Sequence, residues 1–411
     1  MNLFLLYIDP GTGSALFAII IGIAAAAVFT FQAFFLKIKT NFSGGKAIHG
    51  TKNKFVIYAE DKRYWTLFKP VVEEFENRNI ELLYLTQSRD DPVFNSGFKH
   101  IKAEYLGSGN KVFARLNFLS ANFVLATTPG LDVYQWKRSK NVKHYCHILH
   151  SPILATYELY GLDYYDSILL SSCGQDKIFL RQIEEARGLP EKQIITVGCP
   201  YLDEFEKKMK QMPEEENHIF TVLVSPSWGK SALLTKFGEK LLDPLARTQW
   251  RIIVRPHPQS LISEKEKIDF LSEKYRENSN IFWDFERENI FSLKNANVMI
   301  SDFSGIILDY LFLCQKPVFY AADKIDLRPY DEIEIYNTQD EMYIFQILEK
   351  TAIALNPDLL DKLPEQIINA SSNTFLNQTI SDIKAQVWNH QGESGKRVFD
   401  FIIKTAGDSN A

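Results

Sequence analysis

Two short blocks in this 411-residue chain combine residue types that hold and move phosphate. Arg255-Pro256-His257-Pro258 offers a guanidinium and an imidazole on a backbone that two prolines fix in an extended form. Ser301-Asp302-Phe303-Ser304-Gly305 offers two hydroxyls at the predicted start of a helix, where free amides and the helix dipole favour anions. Each block follows an apolar β-like run, Trp250–Val254 and Asn297–Ile300. Each therefore falls at a strand's carboxyl end, where α/β sheets place their ligands. Arg255 suits a two-pronged grip on phosphate oxygens, and together the groups suit the diphosphate of a nucleotide-activated donor. Taken singly, the first block also reads as a Pro-rich surface turn. The second also reads as a plain helix cap contributing about 1 kcal/mol. Asp309 lies seven residues after Asp302, about two helical turns on, which predicts that the two acids share one face.

A third candidate is His150, the last of three histidines in His144-Tyr145-Cys146-His147-Ile148-Leu149-His150. Three imidazoles suggest tetrahedral zinc. Strand alternation over Tyr145–Leu149, however, sends His147 to the face opposite His144 and His150. His150 ends this strand before Ser151-Pro152, which forces a turn, and an imidazole there suits general-base work. A satisfied structural histidine is the plain alternative. Ser225-Pro226-Ser227-Trp228 follows another strand and is placed to line the same region. Gly229-Lys230-Ser231 resembles the end of a phosphate-binding P-loop, but Val224 stands where that loop needs its first glycine.

Alternating segments must position these groups. Short apolar runs at Lys54–Tyr58, Ile80–Leu85, Phe123–Ala126, Tyr145–Leu149, Ser167–Leu170 and Ile194–Val197 predict strands. Helix-like stretches such as Trp65–Glu76 and Gln175–Arg187 lie between them. The charged stretch from Glu204 to Asn217 reads as a solvated linker or helix. The pattern then restarts with strands at Ile219–Val224, Ile252–Val254, Val298–Ile300 and Pro317–Phe319, and helices near Leu233–Leu242, Glu264–Tyr275 and Gly305–Leu313. Such alternation predicts an α/β fold with two doubly wound domains of mostly parallel sheet facing a cleft. The domains expected are residues 54–205 and 218–350, followed by a helical segment at 351–411. The last apolar stripe of that segment (Val398, Phe401, Ile402) is expected to pack back on the body.

Composition narrows the class. Hydrophobic residues make up 45% and charged residues 24%, ordinary for a globular protein. The formal charge of −5 argues against a nucleic-acid binder. Cys146, Cys173, Cys199 and Cys314 are scattered and read as buried thiols in a reducing compartment. From Ala15 to Leu36 no side chain is charged, and a run of about 20 apolar residues can cross a membrane as a helix. The first fifteen residues hold no Lys or Arg, which favours a retained anchor over a cleaved signal peptide. Lys37, Lys39, Lys46, Lys52 and Lys54 all follow the span. That bias predicts a single-pass protein of the inner (cytoplasmic) membrane. Residues 1–14 would be extracytoplasmic, 15–36 would span, 37–53 would be a tether and the rest would be cytoplasmic.

Taken in order, His150, Ser225-Pro226-Ser227-Trp228, Arg255-Pro256-His257-Pro258 and Ser301-Asp302-Phe303-Ser304 with Asp309 resemble the CDP-glycerol glycerophosphotransferase family of teichoic-acid primases and polymerases. The resemblance covers roughly Tyr145 to Ala321. It implies a GT-B fold with an acceptor-side first domain and a donor-binding second domain. It also implies that His150 deprotonates an acceptor hydroxyl, which attacks the glycerol-bearing phosphorus of CDP-glycerol and expels CMP. Arg255 and His257 would stabilise the diphosphate charge, Ser301 and Ser304 would bond the donor phosphates, and Asp309 would contact the nucleotide or its ribose. Ser225, Ser227, Asp302 and Gly305 complete the expected donor site. The acceptor implied is a lipid-linked glycan at the membrane, with no metal or cofactor. The chain departs from the family pattern in three places. Leu149-His150-Ser151 replaces Trp-His-Gly, Phe303 replaces Tyr, and Gly305 replaces a Ser or Thr. Two other functions also fit the residues: a GT-B glycosyltransferase or epimerase using a nucleoside-diphosphate sugar, and a non-catalytic membrane-anchored scaffold.

Overall fold

The protein is described by a computed structural model over residues 53–154, 158–213, 219–286, 288–321, 325–371 and 376–408. The expected N-terminal stretch 1–14, the apolar span 15–36 and the tether up to residue 52 lie outside the described residues. Among the described residues no helix is long and apolar enough to cross a membrane.

Seven parallel strands form the first sheet: β1 (Asn53–Ala59), β2 (Leu82–Thr86), β3 (Ile101–Tyr105), β4 (Ala121–Ala126), β5 (Val142–Ile148), β6 (Ser167–Leu170) and β7 (Gln193–Thr196). Their order is β3-β2-β1-β4-β5-β6-β7, and every pairing is parallel. Helices α1 (Trp65–Asn77) and α2 (Gln175–Arg187) are among those that cover it. Parallel strands buried on both faces need apolar residues at nearly every position. Val56, Tyr58, Leu83 and Leu85 accordingly enter one core, while Phe55, Ile57, Leu82 and Tyr84 enter another on the opposite face.

Helix α3 (Pro200–Gln211) leads to the second sheet. This holds β8 (Thr221–Val224), β9 (Arg251–Val254), β10 (Ile281–Trp283), β11 (Val298–Ser301), β12 (Val318–Tyr320) and β13 (Ile353–Ala354), ordered β10-β9-β8-β11-β12-β13. Its pairings are also all parallel. Helix α4 (Ile306–Cys314) follows β11. Leu223, Ile253 and Met299 face one core, and Val222, Val224, Ile252, Val254 and Ile300 face the other.

Chain order reverses between β1 and β4 in the first sheet and between β8 and β11 in the second. Each reversal opens a crevice at the strands' carboxyl ends, where open α/β sheets bind ligands.

The two sheets are not two consecutive stretches of chain, because helix α5 (Ser394–Asp408) returns to the first sheet. Val398 and Ile402 are buried there beside Phe75 and Val71, and Phe401 packs against the same core. Phe75 and Phe399 meet edge to face with centroids 4.9 Å apart. The helices lie so close that a β-carbon on Gly395 would stand 2.7 Å from Pro70. Only glycine permits that approach. Asp203 on α3 fixes the turn before α5. It accepts hydrogen bonds from Trp388 Nε1 at 3.0 Å, the Gly392 amide at 2.8 Å and the Ser394 amide at 3.1 Å.

The four cysteines are all free, but only Cys146 and Cys199 are buried. Cys314 is half-buried and Cys173 is exposed, because it lies in the loop after β6 rather than on a strand.

Candidate active site

In the second half, Asp302 organises the loops around the β8/β11 crevice. Its carboxylate is 1% exposed. Oδ1 accepts the amides of Ser227 at 2.9 Å, Phe303 at 2.7 Å and Ser304 at 3.1 Å, and Oδ2 accepts that of Leu233 at 2.9 Å. Burial raises its pKa and these donated hydrogen bonds oppose the rise. Asp302 thus locks the loop after β8 to the loop after β11, rather than standing free for a ligand. Ser301, fully buried, donates its hydroxyl to the Ser225 carbonyl at 2.6 Å, and Ser225 is itself buried. These two serines fasten the same pair of loops.

What faces outward is Ser304 with the start of α4. Gly305 is the helix cap; the amides of Ile307 and Leu308 close back on the Ser304 and Gly305 carbonyls at 3.1 and 3.0 Å, and the positive end of the helix dipole there suits an anion. Asp302 and Asp309 do not share a helix face, because the helix begins only at Ile306. Asp309 is 8% exposed and accepts the Tyr201 hydroxyl at 2.6 Å beneath α3. Burial pushes its pKa up to about 7.

Arg255 follows β9 as expected, but its guanidinium is committed elsewhere. Nη1 donates to Asp284 Oδ2 at 2.6 Å and Nη2 to the Glu286 carbonyl at 2.5 Å, with the side chain 9% exposed. Burial pushes the Asp284 carboxyl up, but hydrogen bonds from Ser292, the Glu286 amide and Arg255 outweigh it and leave the pKa lowered. Arg255 therefore anchors the loop that carries His257. The His257 ring stacks toward Trp228 with centroids 6.4 Å apart, and its Nδ1 accepts the Gln259 amide at 3.1 Å. A neutral imidazole with Nδ1 accepting must carry its proton on Nε2. Burial and then the charge of Arg63 lower its pKa to about 4. At neutral pH His257 is thus an uncharged hydrogen-bond donor.

In the first half, His150 stands past the end of β5, with Nδ1 3.0 Å from the Thr127 hydroxyl after β4. Tyr64 packs 5.4 Å from its ring. His150 is solvent-exposed, so a hydroxyl can reach it, while protein atoms crowd its other sides. Burial and then Arg63 lower its pKa, to about 4; solvent at the open edge limits that depression. The other two histidines are structural, as strand alternation predicts. His144 bonds Ser167 at 2.8 Å and stacks on Phe123, and His147 packs against Tyr165 on the opposite face. Among the described residues no three His, Cys, Asp or Glu side chains converge as a metal site.

The two halves meet at these loops. A β-carbon on Gly305 would lie 3.5 Å from Ser151 Oγ, and Arg63 on the first half acts on histidines of both. Of the expected residues, the structure brings His150, His257, Ser304 and Gly305 to the junction. It uses Ser225, Ser227, Ser301, Asp302, Arg255 and Asp309 as scaffolding around it. Sequence reasoning missed Thr127 and Arg63; only the strand order, with its reversal between β1 and β4, marks their positions.

Two doubly wound parallel sheets with loops facing at their carboxyl ends define a GT-B-like α/β architecture. The fold is shared with the wall teichoic acid polymerase TagF (TM-score 0.56, 13% identity, covering 93% of this chain and 99% of that one). It is shared equally with UDP-GlcNAc 2-epimerases. That of Methanocaldococcus jannaschii gives TM-score 0.57 at 16% identity over 85% of this chain and 99% of that one. That of Neisseria meningitidis gives 0.55 at 12% over 85% and 100%. No curated protein matches in sequence. Residues 156–403 match the CDP-Glycerol:Poly(glycerophosphate) glycerophosphotransferase family, and the chain belongs to it. It is accordingly a transferase, which sets aside the scaffold reading.

Proposed function

We propose that the protein transfers glycerol phosphate from CDP-glycerol to a hydroxyl of a lipid-linked glycan or teichoic-acid-like acceptor and releases CMP. The observation that carries this reading is the pairing of His150, open to solvent and oriented by Thr127, with the anion-suited start of α4 across the junction. In the tautomer whose Nδ1–H donates to Thr127 Oγ1, Nε2 of His150 is the nitrogen that takes the acceptor proton. The acceptor oxygen then bonds to the glycerol-bearing phosphorus, the bond from that phosphorus to the bridging oxygen breaks, and its electron pair leaves on CMP. Ser304, the dipole at the start of α4 and Nε2–H of His257 hold the diphosphate. Catalysis of this kind rests on positioning and charge stabilisation. In this reading Arg255, Asp302, Ser225, Ser227, Ser301 and Asp309 position the donor loops.

The apolar span 15–36 would hold the enzyme at the cytoplasmic face of the inner membrane and so raise its effective concentration at a lipid-linked acceptor. Epimerases share the fold, but the family match covers the donor-side half and favours CDP-glycerol over a nucleoside-diphosphate sugar. Ligand-induced stabilisation tests the choice. CDP-glycerol at about 100 times its dissociation constant stabilises by about 2.7 kcal/mol and should raise the melting temperature. UDP-GlcNAc at the same concentration should not. The reverse ranking would favour the sugar-nucleotide reading.

A further inference from the structure

Arg63 is a first-half cation whose charge reaches both site histidines. It sits in a single 3-10 turn, Lys62–Tyr64, directly after β1. That places it at the β1/β4 strand-order reversal, beside Thr127 and His150. Asp61 caps the turn, accepting the Arg63 amide at 2.8 Å. The guanidinium is loosely held. Its Nε is 3.8 Å from Asp61 Oδ1, too long for a hydrogen bond, and the side chain is 51% exposed. It lies over the Tyr64 ring, 5.2 Å from the centroid, and that ring packs in turn 5.4 Å from His150.

After burial, Arg63 is the charge that lowers the pKa of His150 on one half and of His257 on the other. The Tyr64 ring sets the guanidinium beside His150 at the junction, and its charge is also felt by His257 on the other half. Among the described residues, the two groups first expected to supply positive charge there are otherwise engaged: Arg255 is paired with Asp284 and His257 is neutral. A diphosphate diester carries two negative charges at neutral pH, and hydroxyls, amides and an uncharged imidazole leave them uncompensated.

We infer that Arg63, reaching from the first half across the junction, is a direct ligand of the donor diphosphate and the cation that neutralises charge as the bridging P–O bond breaks. The inference rests on the proposed function for the identity of the donor, but the binding of a diphosphate does not. Arginine fits this role because its planar fork bonds two phosphate oxygens at once.

The test compares wild type with Arg63→Ala and Arg63→Lys in two assays. One is calorimetric binding of inorganic pyrophosphate in metal-free buffer. The other is CMP release from CDP-glycerol with acceptor-bearing membranes. Melting temperatures serve as the fold control, and they should stay close to wild type because the side chain is half exposed and its ion pair weak. Arg63→Ala should weaken pyrophosphate binding about tenfold or more and lower kcat/KM by on the order of 10²-fold. Arg63→Lys should recover part of each loss. Pyrophosphate affinity unchanged within about twofold, or no pyrophosphate binding by wild type, overturns the inference. Wild-type turnover of CDP-glycerol with unaltered turnover by Arg63→Ala overturns it as well, yet leaves the functional reading standing. Arg63-dependent pyrophosphate binding without any CDP-glycerol turnover supports the inference and removes the proposed donor.

Discussion

Ser151 and Gly305 face each other across the junction, with 3.5 Å between Ser151 Oγ and the place a Gly305 β-carbon would take. In the family pattern a glycine follows the histidine and a Ser or Thr stands at the position of Gly305. This chain has the hydroxyl on the other side of the gap. Ser151 Oγ is buried and has no hydrogen-bond partner among the described residues. An unsatisfied buried hydroxyl costs about 1–3 kcal/mol. Ser151→Ala should therefore leave stability unchanged or raise it by about 1 kcal/mol in urea denaturation. A clear loss would show that the hydroxyl is bonded.

His150 and Thr127 should act as one unit. His150→Ala should lower kcat by about 10²–10⁴, the usual contribution of a general base, with melting temperature unchanged. Thr127→Val keeps the shape but frees the imidazole to turn. It should lower kcat about tenfold, or about 1.4 kcal/mol in barrier, with KM for the donor unchanged. Equal activity of Thr127→Val and wild type would exclude the orienting role.

Arg255 should behave as a structural residue. Arg255→Ala leaves Asp284, 15% exposed, as a nearly buried unpaired charge, a change that costs about 3–5 kcal/mol. The expected result is a large drop in denaturant midpoint, which Arg63→Ala does not share. A stable Arg255→Ala protein with poor donor binding would instead give Arg255 the direct phosphate role that its sequence position suggests.

The strands of both sheets were readable because burial on both faces makes them continuous apolar runs. The strands that escaped, β3, β10 and β13, are edge or near-edge elements. Ile101–Tyr105 alternates with Lys102 and Glu104, and the other two are three and two residues long. His150, His257 and Ser304 were legible because each follows a recognisable strand. Arg255 was placed correctly, but its ion pair was not legible, since nothing near it in sequence announces Asp284, 29 residues on. Arg63 and Thr127 gain meaning only from the order of β1 and β4 in the sheet, which no local pattern encodes.

The buried groups predict opposing pH effects on stability. His257, with its pKa lowered to about 4, contributes stability that is full above about 6.5 and lost as pH falls toward 4. Asp309, raised to about 7, has the opposite sign: its contribution is full near pH 4 and is lost as pH rises through 7. Asp309→Asn keeps an acceptor for Tyr201 but removes the buried charge. Its stability relative to wild type should thus increase from pH 5 to pH 8 by about 1–3 kcal/mol, read from urea midpoints. A constant difference would mean that Asp309 titrates normally.

The identity of the nucleotide released tests the account most directly. Attack at the glycerol-bearing phosphorus leaves one phosphate on the nucleotide, whereas glycosyl-type transfer leaves two. Purified full-length protein supplied with CDP-glycerol and acceptor-bearing membranes should release CMP, in step with glycerol phosphate gained by the acceptor, and His150→Ala should abolish both. Release of CDP instead, or CMP release undiminished in His150→Ala, would contradict phosphoryl transfer driven by His150.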